Sequence, residues 1–123
     1  MTSLVPEEIR VSDKGQTLHL RFADGGSLAL GAEYLRVFSP SAEVQGHAAH
    51  ERKTVGGKRG CAITEIVTVG NYAIRPTFSD GHDTGIFSWG HLLELGRNHD
   101  EKWQAYLNEL AAKGLSRDRP GEA

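Results

Sequence analysis

A strand, an Asp-Gly turn, a short returning strand and the start of a helix occur twice in this chain. The two copies read RFADGGSLALGAEYL (residues 21–35) and TFSDGHDTGIFSWGHLL (residues 77–93). Glycine reaches positive φ without a steric penalty, so Asp-Gly between two apolar runs closes a hairpin and fixes its register. The second copy carries two extra residues after its Asp-Gly, in or beside the segment holding His82 and Asp83. Two copies are too few for a solenoid, which stacks three or more units. The repeat therefore predicts two packed hairpin–helix halves: an α+β fold with a small, mostly antiparallel sheet and one further helix at the C-terminal end.

The remaining pattern agrees with that plan. Ile9 and Val11 mark a first strand, followed by a turn at Asp13-Lys14-Gly15. In residues 17–22, Leu18, Leu20 and Phe22 alternate with Thr17, His19 and Arg21, the period of two of a strand with one buried face. Tyr34, Leu35 and Phe38 have helical spacing. In the second half, residues 62–69 and 72–78 read as strands around Gly70-Asn71, and Ile86 with Phe87 as the short return. Ser88 is the expected N-cap of the next helix and Gly96 its expected C′ residue. Trp103, Tyr106, Leu107 and Leu110 form one stripe of a last helix over residues 100–113, stopped by Gly114. One domain is expected over residues 1–114, with a frayed polar tail at 115–123.

Composition narrows the function classes. Hydrophobic residues at 38% and charged residues at 24% suit a folded globular domain. A net charge of -2 supplies no field to draw in nucleic acid. A single cysteine, Cys61, excludes an internal disulfide and a multi-thiolate metal site within one chain. No apolar run approaches the ~20 residues that span a bilayer. The first residues, MTSLVPEEIR, have no basic-then-apolar leader pattern. A cytoplasmic protein with no membrane partner is the expectation.

Residues 39–60 are the least regular stretch, glycine-rich and poor in apolar side chains, and so the first place to look for a site. Gly56-Gly57-Lys58-Arg59-Gly60 does not complete a phosphate loop, because GxxxxGK[ST] would need Gly and Ser/Thr where Arg52 and Arg59 stand. Arg52, Lys53, Lys58 and Arg59 form a basic patch, read first as a solvated loop and second as an anion site. No GxSxG nucleophile elbow is present around Ser88. His47, His50 and His82, with Asp80 or Asp83, offer the two-imidazole, one-carboxylate donor types of non-haem iron, at a spacing that is not diagnostic. Cys61 reads as a small buried residue, and Trp89 and Trp103 as core.

The run Leu35-Arg36-Val37-Phe38-Ser39-Pro40-Ser41-Ala42-Glu43-Val44-Gln45-Gly46-His47 is distinctive. So are Gly70-Asn71-Tyr72-Ala73 and the stretch from Asp80 to Trp89. Together they resemble the small bacterial proteins classed as gamma-butyrobetaine hydroxylase-like N-terminal domains, whose function is not established. The resemblance extends from about Ile9 to Gly114. In the hydroxylase this domain precedes an iron- and 2-oxoglutarate-dependent catalytic barrel and holds a structural zinc on three cysteines and one histidine. By the resemblance, those cysteines fall on Ser39, Ser41 and Val44, and the histidine on His82. Serine is a poor zinc ligand and valine none, so no tetrahedral zinc is expected. A hydrogen bond between the Ser39–Ser41 turn and His82 is expected in its place. A related domain also ends some iron–sulfur carrier proteins of the Mrp type.

These readings imply a non-catalytic binding or adaptor domain, not an enzyme, with no cofactor. Its protein partner would dock through Ser39, Ser41, Glu43, Gln45, His47, Lys58 and Arg59. The alternative is a metal-binding accessory protein, holding iron or zinc on His47, His50 and His82 and linked to iron–sulfur handling or to dioxygenases.

Overall fold

The computed structural model of the chain describes residues 5–40 and 55–118. Strands β1 (Glu8–Ser12), β2 (Thr17–Arg21) and β3 (Ser27–Gly31) lead into helix α1 (Ala32–Val37). Strands β4 (Ile63–Val69), β5 (Ala73–Phe78) and β6 (Phe87–Ser88) lead into α2 (Trp89–Arg97), and α3 (His99–Ala112) follows. Each half is thus an antiparallel three-stranded meander capped by a helix, as the repeat dictates.

The halves do not share one continuous sheet. They form two separate sheets, ordered β1-β2-β3 and β4-β5-β6, and Ile63 N donates to Gly15 O across the gap at 2.7 Å. The β1–β2 turn makes that joint: Asp13, Lys14 and Gly15 all take positive φ, and Thr17 Oγ1 donates to Asp13 Oδ2 at 2.9 Å.

Alternation in the strands becomes a core. Leu18, Leu20 and Leu30 of the first sheet meet Ile63, Ile74, Phe78 and Phe87 of the second, with Leu35, Trp89, Leu92 and Leu95 from the helices. Each such side chain contributes about 1.5–3 kcal/mol by leaving water. The Tyr34 hydroxyl donates to Leu95 O at 2.7 Å and ties α1 to α2. A smaller cluster of Val37, Val55, Tyr106 and Leu110 seats α3, where the Tyr106 hydroxyl donates to Val55 O at 2.5 Å.

Two boundary expectations are corrected. Ser88 caps α2 as expected, its Oγ accepting from His91 N at 3.2 Å. Gly96, however, lies inside the helix, which continues through Arg97 to a cap at Asn98. Glycine permits a close approach there, because a Cβ would meet the end of the Leu28 side chain of β3 and force it to shift. The tail is the second case. Gly114 stops α3 at φ +68 in a Schellman turn: Gly114 N donates to Ala111 O and Leu115 N to Leu110 O. Over residues 115–118 the chain then folds back instead of fraying, while residues 119–123 lie outside the described residues. Ser116 O accepts from Gly57 N at 2.7 Å and Arg117 O from Arg59 N at 3.0 Å. Arg117 forks onto Glu33 at 2.7 and 2.6 Å while lying over the Trp103 ring. Residues 115–118 are therefore part of the packed domain. Among the described residues no helix is long and apolar enough to cross a membrane.

Candidate functional site

Ser39 follows the C-terminal end of α1, and His82 follows the Asp80-Gly81 turn of the second half. The fold brings them together: Ser39 Oγ and His82 Nε2 are 2.9 Å apart, with the residues only 0% and 7% exposed. A hydrogen bond this deep matters because leaving either partner unsatisfied costs about 1–3 kcal/mol. Gly85 closes over the pair, since a Cβ there would run into Ser39 Oγ. The expected serine–histidine contact is present at Ser39.

Asp80 organises the rim. Its Oδ1 accepts the His82 amide at 3.1 Å, the local bond by which an Asx side chain braces a turn. Its Oδ2 accepts from Lys58 Nζ at 2.6 Å and Arg36 Nε at 2.8 Å. Burial pushes the Asp80 carboxyl up, but the bonds from Lys58, the His82 amide and Arg36 outweigh it and hold the group down at about 2. Arg36 Nη1 is buried with no hydrogen-bond acceptor among the described residues, so Asp80 is the counter-charge that keeps this guanidinium in the fold.

Cys61 lies behind the rim, 6% exposed, its thiol pushed above its ordinary value chiefly by burial and by the Asp80 charge. Such a thiol is a poor nucleophile. Labelling with a chromogenic disulfide at neutral pH should therefore be at least about tenfold slower in native protein than in urea. Equal rates would show that the pocket around Cys61 opens freely.

Of the residues expected to contact a partner, Lys58 is bound to Asp80, and Arg59 is solvent-facing with an exposed ion pair to Asp118. Ser39 is interior, so it can position the surface but not touch a partner. Ser41, Glu43, Val44, Gln45, His47 and His50 lie outside the described residues. Sequence reasoning missed the Arg36–Asp80–Lys58 clamp. Its members are separated by 44 and 22 positions along the chain, and no local spacing announces it.

A tetrahedral zinc does not suit this donor set. Ser39, which the family resemblance sets at a zinc-cysteine position, is a hydroxyl, and it already occupies His82 Nε2. Among the described residues no group of three or more His, Cys, Asp or Glu side chains could hold a metal.

Comparison with known proteins places the chain. No curated protein matches it. A solution NMR structure, 43% identical, covers 97% of this chain and 93% of its own, with a TM-score of 0.79. A second NMR structure, 38% identical, covers 96% and 88%, also with a TM-score of 0.79. A crystal structure from Acidithiobacillus ferrooxidans, described as a protein of unknown function in the DUF971 family, is 38% identical. It covers 76% of this chain and 93% of its own, with a TM-score of 0.62. Residues 9–93, which include both hairpin–helix units, match the family described as "Gamma-butyrobetaine hydroxylase-like, N-terminal". The serine–histidine junction and its Asp80 clamp fall inside that stretch, and the chain belongs to the gamma-butyrobetaine hydroxylase-like N-terminal family.

Proposed function

We propose that this domain is a non-catalytic binding module, docking a partner protein on the surface around Arg59. The observation that carries the reading is how Arg59 is held. Its backbone is fixed by the Arg117 carbonyl, while its side chain stays 53% exposed in an ion pair with Asp118. An exposed pair of this kind is worth roughly 0–1 kcal/mol, so a partner carboxylate can replace Asp118 at little cost. Supporting it, the groups at the junction that could do chemistry have structural duties. Ser39 holds His82, Asp80 holds two cations, and Cys61 is buried. We place the protein in the cytoplasm, where a lone thiol stays reduced.

A photo-cross-linking amino acid at position 59, incorporated in cells, tests this. A discrete adduct is expected from position 59 and none from position 104, on the exposed face of α3. A charge-reversing Asp118→Lys variant should weaken the adduct from a probe at the neighbouring Gly60 less than Arg59→Glu does. No discrete adduct from position 59 would reject the surface.

A further inference from the structure

We infer that the cleft between strands β1 and β4 accepts an extended, basic peptide segment of a partner protein by strand addition. This rests on the reading of the domain as a binding module, but it uses a face distinct from Arg59.

The cleft has a volume of about 500 Å³ and is lined by Ile9 and Val11 of β1, Gly15, and Ile63, Glu65 and Ile66 of β4, among others. It lies within the size range of ligand clefts, ~300–1,000 Å³. Both strands are the outer members of their sheets.

The register shows which backbone groups face the cleft. Phe22 N donates to Gly26 O, so the even-numbered residues of β2 bond to β3 and the odd-numbered ones to β1. Their β1 partners are Glu8, Arg10 and Ser12, and Ile9 and Val11 therefore turn their N–H and C=O groups outward. In the second sheet, Trp89 N donates to Tyr72 O, which leaves Ala73, Arg75 and Thr77 to bond β4 through Val69, Val67 and Glu65. Ile66 and Thr68 turn outward. The residues whose backbones are unpaired on each edge are thus the ones that line the cleft with apolar side chains. Ile9, Val11 and Ile66 are only partly buried.

Such an edge is a template for another strand unless it is blocked. Here the only backbone bond bridging the two sheets among the described residues is Ile63 N to Gly15 O, at one end. An inserted strand would take main-chain bonds from the edges and place alternate side chains on the apolar lining, as in other β-augmentation complexes.

Charge selects the occupant. Glu65 is the one charged residue of the lining, is exposed, and has no side-chain partner among the described residues. A lysine or arginine in the incoming segment would meet it.

The test is a titration of the ¹⁵N-labelled full chain at low salt with acetyl-Thr-Val-Lys-Val-Thr-amide, and with the same peptide carrying Glu for Lys. Expected are shifts at the amides of Ile9, Val11, Ile66 and Thr68, with about fivefold tighter binding of the lysine peptide. Glu65→Lys should invert that preference without altering the remaining spectrum. Thr68→Pro removes only an outward-facing donor, a place where edge strands tolerate proline, and should weaken binding severalfold. Absent or scattered shifts at millimolar peptide, or an unchanged preference in Glu65→Lys, would overturn the proposal. So would shifts at the same four amides that grow with protein concentration alone, since a second copy would then be the occupant. Cross-linking at position 59 stands or fails separately, which distinguishes loss of this cleft from loss of the binding-module reading.

Discussion

Gly15→Ala should lower stability by about 3–4 kcal/mol. Gly15 sits at φ +91, where an L-residue costs roughly 1–2 kcal/mol. A Cβ there would also stand 2.5 Å from Ile63 O and 3.2 Å from Ile63 N, with Ala62 Cβ at 3.1 Å. Those backbone atoms cannot rotate aside, and overpacking of this kind adds about 1–3 kcal/mol. The crowding falls on the bond that joins the two sheets, Ile63 N to Gly15 O. Gly25→Ala is the control: its φ is +89, but nothing lies within 4 Å of the added Cβ. It should lose only the backbone component, about 1–2 kcal/mol. Urea unfolding of the two variants separates strain from contact. Equal losses would mean that the close approach of Gly15 to β4 contributes nothing.

Asp80→Asn is the second large effect, about 2–3 kcal/mol at neutral pH. The substitution preserves shape and removes the charge that faces Arg36 and Lys58, whose side chains are only 12% and 21% exposed. Arg36 suffers most, because its Nη1 is already buried without an acceptor among the described residues. A fully buried pair would lose more, and the 22% exposure of the Asp80 side chain moderates the figure. The sign with pH follows from linkage. The folded carboxyl is held at about 2, below its ordinary 3.8, so its contribution is complete above about pH 4. That contribution fades as pH falls through about 2. The stability gap between wild type and Asp80→Asn should be constant from about pH 5 to 7 and narrow below about pH 4. A gap as wide at pH 3 as at pH 7 would assign the loss to packing instead of charge.

Much of the fold was legible because the relevant signals are local. Leu18 and Leu20 alternate with Thr17 and His19, and that alone places two side chains on the buried face of β2. The Asp-Gly turns, the Ser88 cap and the Gly114 stop are each decided within a few residues. Gly96 was misread for the same reason. Its local signal is that of a helix end, whereas its actual role depends on Leu28, a residue far away in sequence. Residues 115–118 behave likewise: the stretch LSRD is polar, yet Arg117 finds Glu33 and Trp103, 84 and 14 positions upstream.

The candidate site divides along the same line. The Ser39–His82 bond was expected only through the family resemblance, which aligned two positions that no spacing rule connects. The Arg36–Asp80–Lys58 clamp had no antecedent, because a carboxylate's partners are chosen by tertiary approach and not by neighbours in the chain.

By itself the sequence determined two hairpin–helix halves, since turn chemistry and hydrophobic periodicity act over short distances and were already complete in the repeated unit. Only the tertiary structure decided that the halves form two sheets joined at Gly15 and Ile63. It also closed Ser39 and His82 into one buried junction and left the β1 and β4 edges facing an open cleft. Those outcomes depend on how the two halves pack, and packing is a property of surfaces that meet after each half has formed.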